Sequence, residues 1–234
     1  MRITFDHAIA ETASIKTFYF RSAQPLRYVA GQFIELTLPS AQADSRGSKR
    51  WFTLSSSPSQ DLLSITTRLA DSGCSSFKTA LQALTPGTEL TMSEAMGDFV
   101  LPRKVDTPLL FVAGGIGITP VHSILQWLVD NAEQRPIKLL YGVRTEADIA
   151  FLDTFQAAKQ YVTIVVSEPS AAWGGERGHI DADMIIGLHH PTDKTLVYIS
   201  GPAKMTESLT TGLIAAGLRL DQVVCDSFLG YSHI

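Results

Sequence analysis

The chain is poor in the residues that build several classes of site. Its 234 residues include two cysteines, Cys74 and Cys225, too few for the four thiolates of an iron–sulfur cluster or a Cys-only zinc site. Any such cluster is expected on another protein. The six histidines are scattered without metal-ligand spacing, and the adjacent His189 and His190 would point different ways on most backbones, so no metal site is expected. There is no excess of basic residues. A net charge of −4 argues against a nucleic-acid surface, which needs clustered Lys and Arg, and the one local basic patch is Arg46, Lys49 and Arg50. No apolar run approaches the roughly 20 residues that span a bilayer. The first residues, MRITFDHAIAETASIKTFYF, mix charges into apolar positions and lack the continuous segment of a secretory signal, so a cytoplasmic protein is expected. Repeats and low-complexity stretches are also missing.

What is present is 45% hydrophobic residues with 18% charged, the balance of a globular protein with length enough for two cores. In the first hundred residues, period-2 or β-branched patterns predict strands at 2–9, 15–20, 34–38, 51–54, 63–69 and 88–92, with one helix at 75–84. Those short strands predict an antiparallel β-barrel. After Pro108 the rhythm changes to buried strands at 109–113, 138–142, 162–166, 195–199 and 222–225, alternating with helices near 120–130, 146–158, 181–187 and 203–216. That alternation predicts an α/β Rossmann-like parallel sheet with helices on both faces. The expected domains are 1–104 and 105–234, packed firmly around a shared cleft.

Leu109–Pro120, LLFVAGGIGITP, joins a buried strand to a helix through Gly114, Gly115 and Gly117. Glycines there let a ligand approach the backbone, and free N–H groups at a helix start favour phosphate. The stretch lacks the third glycine of the dinucleotide fingerprint, where Pro120 stands, and an acidic residue about 20 positions on. From these residues alone, a dinucleotide site and a tight turn with no ligand both remain open.

The ordered set AGQF, RWFTLSS, DSGCSSF, FVAGGIGITP, YGVR and YISGPAKM resembles the ferredoxin-NADP reductase family of flavoproteins over nearly the whole chain. The resemblance implies FAD bound to the barrel, with NADH or NADPH as substrate on the second domain. The family's Arg-x-Tyr-Ser/Thr motif falls on Arg50, Phe52 and Thr53, with Ser55 following. Arg50 would pair with the flavin pyrophosphate, Phe52 would lie against the isoalloxazine where the family usually has Tyr, and Thr53 would hydrogen-bond near the hydride-accepting N5. Without a ligand, these residues read as a strand end with a solvated charge. Gly73 and Ser76 match the second flavin element, although Ser75 or Ser76 could equally be a plain helix cap. Cys74 reads as filler.

Gly115, Gly117 and Thr119 match the family's nicotinamide-nucleotide turn. Ser200, Gly201 and Pro202 match a further element, with Ser200 lining the nicotinamide pocket where many members have Cys. Gly201 and Pro202 also serve as an ordinary turn that starts a helix. Tyr231 could cover the flavin face or be a surface aromatic. Glu168, at the end of the third parallel strand, would accept from a ribose hydroxyl and repel a 2′-phosphate, which favours NADH. Arg144, at the end of YGVR, and Arg177 could instead meet a phosphate. Thr53 and Ser200 are thus the expected catalytic positions. The implied reaction passes hydride from NAD(P)H to flavin, then electrons to a separate carrier such as ferredoxin or flavodoxin, or to a small acceptor. The rivals are a flavin reductase that releases its flavin and a non-catalytic electron-transfer subunit of a larger complex.

Overall fold

A computed structural model of the chain describes residues 1–24, 26–38, 47–69, 74–157 and 161–226. The first sheet contains β1 (Arg2–Ala10), β2 (Ile15–Ser22), β3 (Phe33–Thr37), β4 (Lys49–Thr53), β5 (Leu63–Arg68) and β6 (Glu89–Met92), with helix α1 (Ser76–Gln82) before β6. All pairings are antiparallel, in the order β4-β3-β6-β1-β2-β5. The two edges meet just past β4, where Leu54 bridges Ile65 and the Ser55 N–H donates to the Ser64 carbonyl at 2.8 Å. That contact closes the sheet into the expected barrel and removes its open edges. Alternate residues (Ile3 and Phe5, Phe18 and Phe20, Ile34 and Leu36) point inward, as the period of 2 requires. Helix α1 seals the core with Phe77 and Leu81, both fully buried, each side chain contributing roughly 1.5–3 kcal/mol.

The second sheet runs β7 (Leu109–Gly114), β8 (Ile137–Val143), β9 (Tyr161–Val166), β10 (Glu176–Arg177), β11 (Leu196–Ser200) and β12 (Val223–Asp226). Helices α2 (Ile118–Asp130), α3 (Leu152–Ala157), α4 (Ala182–His189) and α5 (Ala203–Ala215) intervene. The strands are parallel in the order β10-β9-β8-β7-β11-β12. Each face carries its own core, one around Phe111, Leu139 and α2, the other around Leu110, Val197 and α5. Chain order reverses between β7 and β11, and such a switch point is where doubly wound sheets bind ligands. Among the described residues no helix is long and apolar enough to cross a membrane.

The expected helix over 146–158 is broken. A short 3-10 turn at Glu146–Asp148 precedes α3, and Phe151 between them adopts a left-handed φ of 63°. The cause is tertiary. The Asp148 carboxylate accepts from the Thr145 N–H at 3.2 Å and from Arg68 of β5 at 2.8 Å, so it is drawn across to the barrel instead of continuing a helix. The two-residue β10 was not expected either, being too short for a periodicity signal.

The two sheets share packing. Ala30 and Phe99 from the first half belong to the same buried cluster as Phe111 and Tyr198. The Tyr198 hydroxyl donates to the Val100 carbonyl at 2.8 Å, and Ser123 of α2 donates to the Ser56 carbonyl at 2.6 Å.

Candidate functional site

The turn after β7 is shaped by its neighbours. A Cβ on Gly117 would collide with the Ser200 carbonyl group, and Gly201 lies against Gly114, so the turn after β7 and the turn after β11 interlock only because both are bare. Gly115 differs: it has a positive φ of 53°, and nothing stands within 4 Å of where its Cβ would lie. A ligand can therefore reach its backbone. The Thr119 hydroxyl donates to the Ile116 carbonyl at 3.1 Å and fixes the turn. No side chain caps the 3-10 turn or the start of α2, and the Ile118 N–H already donates to the Gly115 carbonyl, so the uncapped N–H groups that could meet an anion are those at the start of the 3-10 turn. Pro120 falls within the first turn of α2, where its missing N–H costs nothing. The 3-10 turn at Gly115–Gly117 rests against β5 of the barrel.

At the next strand end the Ser200 hydroxyl donates to Asp226 Oδ2 at 3.2 Å, with both residues buried. Burial pushes the Asp226 pKa up to about 6, although the Ser200 hydrogen bond opposes the rise. Asp226 was not among the residues expected at the site. The only signal for it was an acidic residue closing the apolar run Val223–Cys225. Pro202 lies at the N-cap of α5, so Ser200, Gly201 and Pro202 form a strand-to-helix turn beside the glycine turn.

On the barrel side, Arg50 and Phe52 of β4 share one face. The Arg50 guanidinium donates to the carbonyls of Gly47 and Lys49 at 2.9 and 2.6 Å, and its Cζ lies 5.2 Å from the Phe77 ring centroid. Those contacts hold the cation at the barrel end. Phe52 is nearly buried and rests on Phe77, ring centroids 5.8 Å apart. Thr53 is buried, yet its hydroxyl makes no hydrogen bond among the described residues, an arrangement suited to an external polar atom. Ser55 turns its hydroxyl away, toward Ser64 and Thr66 at 2.8 Å each. Helix α1 is capped by Ser75, whose side chain accepts from the Lys78 N–H, with Ser76 as the first helical residue. A fixed guanidinium and a hydroxyl without a partner among the described residues are groups that could meet the pyrophosphate and polar edge of a flavin dinucleotide, whereas Phe52 belongs to the barrel's buried core. Gly73 and Tyr231 lie outside the described residues.

Two strands from the switch point, the Glu168 N–H donates to the Arg144 carbonyl at 2.7 Å, placing both expected residues on adjoining loops with their side chains exposed. A second carboxylate stands beside them. Glu146 accepts from the N–H and hydroxyl of Ser170 at 2.9 and 2.7 Å, and these bonds, chiefly the hydroxyl, lower its pKa. Arg177 donates to the carbonyls of Ser170 and Trp173 at 3.4 and 2.5 Å, which ties it to its own loop.

Comparison with known proteins agrees with this geometry. A family model for the oxidoreductase NAD-binding domain matches residues 111–211, spanning both turns at the switch point. The NADH oxidoreductase HCR of Escherichia coli is 27% identical over 93% of this chain and 65% of its own. The glycine betaine monooxygenase reductase subunit of Chromohalobacter salexigens is 27% identical over 94% of this chain and 62% of its own. This chain thus spans less than two thirds of either relative. A ferredoxin NADP+ reductase from Neisseria gonorrhoeae, solved with bound FAD and NADP, superposes with a TM-score of 0.78 at 21% identity, covering 97% of each chain. The superposition shows that the chain shares the fold of that reductase, and the NAD-binding domain and the named relatives support the resemblance to the ferredoxin-NADP reductase family that its motif order carries.

Proposed function

We propose that the chain is an NAD(P)H-dependent flavoprotein reductase that holds FAD on the barrel and passes electrons to a separate carrier such as ferredoxin or flavodoxin. The observation that carries this reading is the convergence at one switch point of an open glycine backbone, an uncapped turn into α2 and the buried Ser200–Asp226 couple, with the glycine turn resting against β5 of the barrel. Bound FAD would supply a hydride acceptor that can be reoxidised one electron at a time. The protein's share is placement. Arg50 would anchor the pyrophosphate as a planar, permanently charged group, and the Thr53 hydroxyl would bond the flavin edge near N5. The glycine turn into α2 would take the nucleotide diphosphate. Ser200 would line the nicotinamide pocket, and Asp226, when ionised, would favour the positive ring that nicotinamide becomes on giving up hydride.

NADH is the preferred donor in this reading. Glu168 and Glu146 both stand where a 2′-phosphate would approach, and Arg177 is held by loop carbonyls. The relatives named as an NADH oxidoreductase and as a monooxygenase reductase subunit support the same class of electron transfer. The test is purification followed by turnover. Yellow protein that keeps FAD through gel filtration and oxidises NADH with ferricyanide is the expected result. Colourless protein that reduces added flavin would favour the flavin reductase, and bound flavin without turnover the non-catalytic subunit.

A further inference from the structure

A cavity of about 390 Å³ opens between the barrel face of β1–β2 and the opposed surfaces of α2 and residues 149–154. None of the residues assigned to either cofactor lines it, and no lysine or arginine does. An anion such as a phosphate or carboxylate would therefore meet no counter-charge there.

Its walls are rich in acceptors. The His122 Nδ1 lies 2.7 Å from the Ser55 carbonyl, which can only accept, so Nδ1 carries the proton. Burial pushes the His122 pKa down to about 4, against the opposing effect of that hydrogen bond, and the neutral ring keeps a bare lone pair on Nε2. That atom has no hydrogen-bond partner among the described residues. Along the barrel wall runs a chain of side chains: Ser64 with Ser55, Thr66 donating to Ser55, and Thr66 with Thr17, each at 2.8 Å, and Thr17 donating to the Glu11 carboxylate at 2.6 Å. Thr17, which lines the cavity, spends its proton on Glu11, and Thr66 spends its own on Ser55, so neither is left to donate into the cavity. Asp153 adds a second carboxylate to the lining.

The remaining walls are flat. Phe151 stacks on His122 with ring centroids 3.8 Å apart and planes at 25°, and it is held there in the left-handed conformation that side chains other than glycine seldom adopt. Tyr19, Leu152 and the carboxamides of Gln60 and Gln126 also line it, Gln126 Nε2 donating to Asp130 at 2.8 Å and Gln60 Oε1 accepting from the Ser57 N–H at 3.1 Å. We propose that this cavity is a binding site for a small flat organic cation, an aromatic amine or amidine, whose N–H groups meet His122 Nε2 and the carboxylates of Glu11 and Asp153.

Benzamidine is a suitable probe, with benzoate as an anion of the same shape. Saturation-transfer NMR on the purified full chain is expected to show binding of benzamidine and not of benzoate, undisturbed by saturating NAD⁺. Glu11→Gln combined with Asp153→Asn removes both charges and is expected to weaken benzamidine binding about tenfold or more. Leu152→Trp, which fills the mouth, should weaken it independently, with melting temperature confirming that each variant is folded. Equal binding of the two probes, no binding of benzamidine, displacement by NAD⁺, or unchanged affinity in both variants would overturn the proposal.

Discussion

Asp226 is a carboxyl whose ionisation the fold resists, and this gives it a pH signature. Its folded-state pKa of about 6 lies above the ordinary 3.8. The stabilisation it confers is therefore complete below that lower value and is lost as pH rises through about 6. Asp226→Asn keeps an acceptor for Ser200 but cannot ionise. Urea unfolding between about pH 4 and 7 should show wild type losing stability relative to the Asn variant as pH rises, and parallel curves would make Asp226 an ordinary carboxyl. Arg50 gives a second test. Arg50→Ala removes a charge-assisted contact, and flavin affinity measured by fluorescence titration should fall about tenfold to hundredfold. Unchanged affinity would return Arg50 to a purely structural role against Phe77. At the nucleotide end, Glu168→Arg should raise kcat/KM for NADPH relative to NADH. No shift would remove Glu168 from the specificity argument.

The glycine turn makes a prediction at the scale of an element, because its two glycines are needed for different reasons. Gly117→Ala forces a methyl group into the Ser200 carbonyl, and such overpacking should cost about 1–3 kcal/mol in thermal or urea unfolding. Gly115→Ala meets open space and only the left-handed penalty, about 1–2 kcal/mol. If the nucleotide backbone passes over Gly115, its affinity in that variant should fall further than this cost explains, which calorimetric titration can measure. Most elements were legible in the sequence because apolar periodicity is set by burial: β7 reads as a continuous apolar run since both its faces are covered. The break before α3 was not legible. It depends on Arg68, 80 residues away in sequence, reaching Asp148. Of the site, the glycine and Ser200 turns could be read from local spacing. Asp226, Glu146 and His122 acquire their environments only from strands and loops brought together by folding, and no local pattern marks them.

At the scale of the whole molecule, the barrel and the parallel sheet are tied by contacts of two kinds. Arg68 and Asp148 form an ion pair at 2.8 Å in which the Asp148 side chain is largely buried. Burial raises the Asp148 pKa, but hydrogen bonds from Arg68 and Thr145 outweigh it and leave the carboxyl below its ordinary value. Arg68→Ala should cost about 1.5–3 kcal/mol, the range for a hydrogen bond to a charged group, lessened by the partial exposure of Arg68. Calorimetry should show one unfolding transition in wild type, since Phe99, Phe111 and Tyr198 share one cluster. Two well-separated transitions would show that the halves melt independently.

That common cluster also bears on how such a chain can be recombined. A joint placed in residues 103–108 would leave Ala30 and Phe99 on one side and Phe111 and Tyr198 on the other, each half exposing aromatic surface that the other now covers. Exchanging one half for a foreign one therefore requires a matching aromatic surface as well as a matching cofactor.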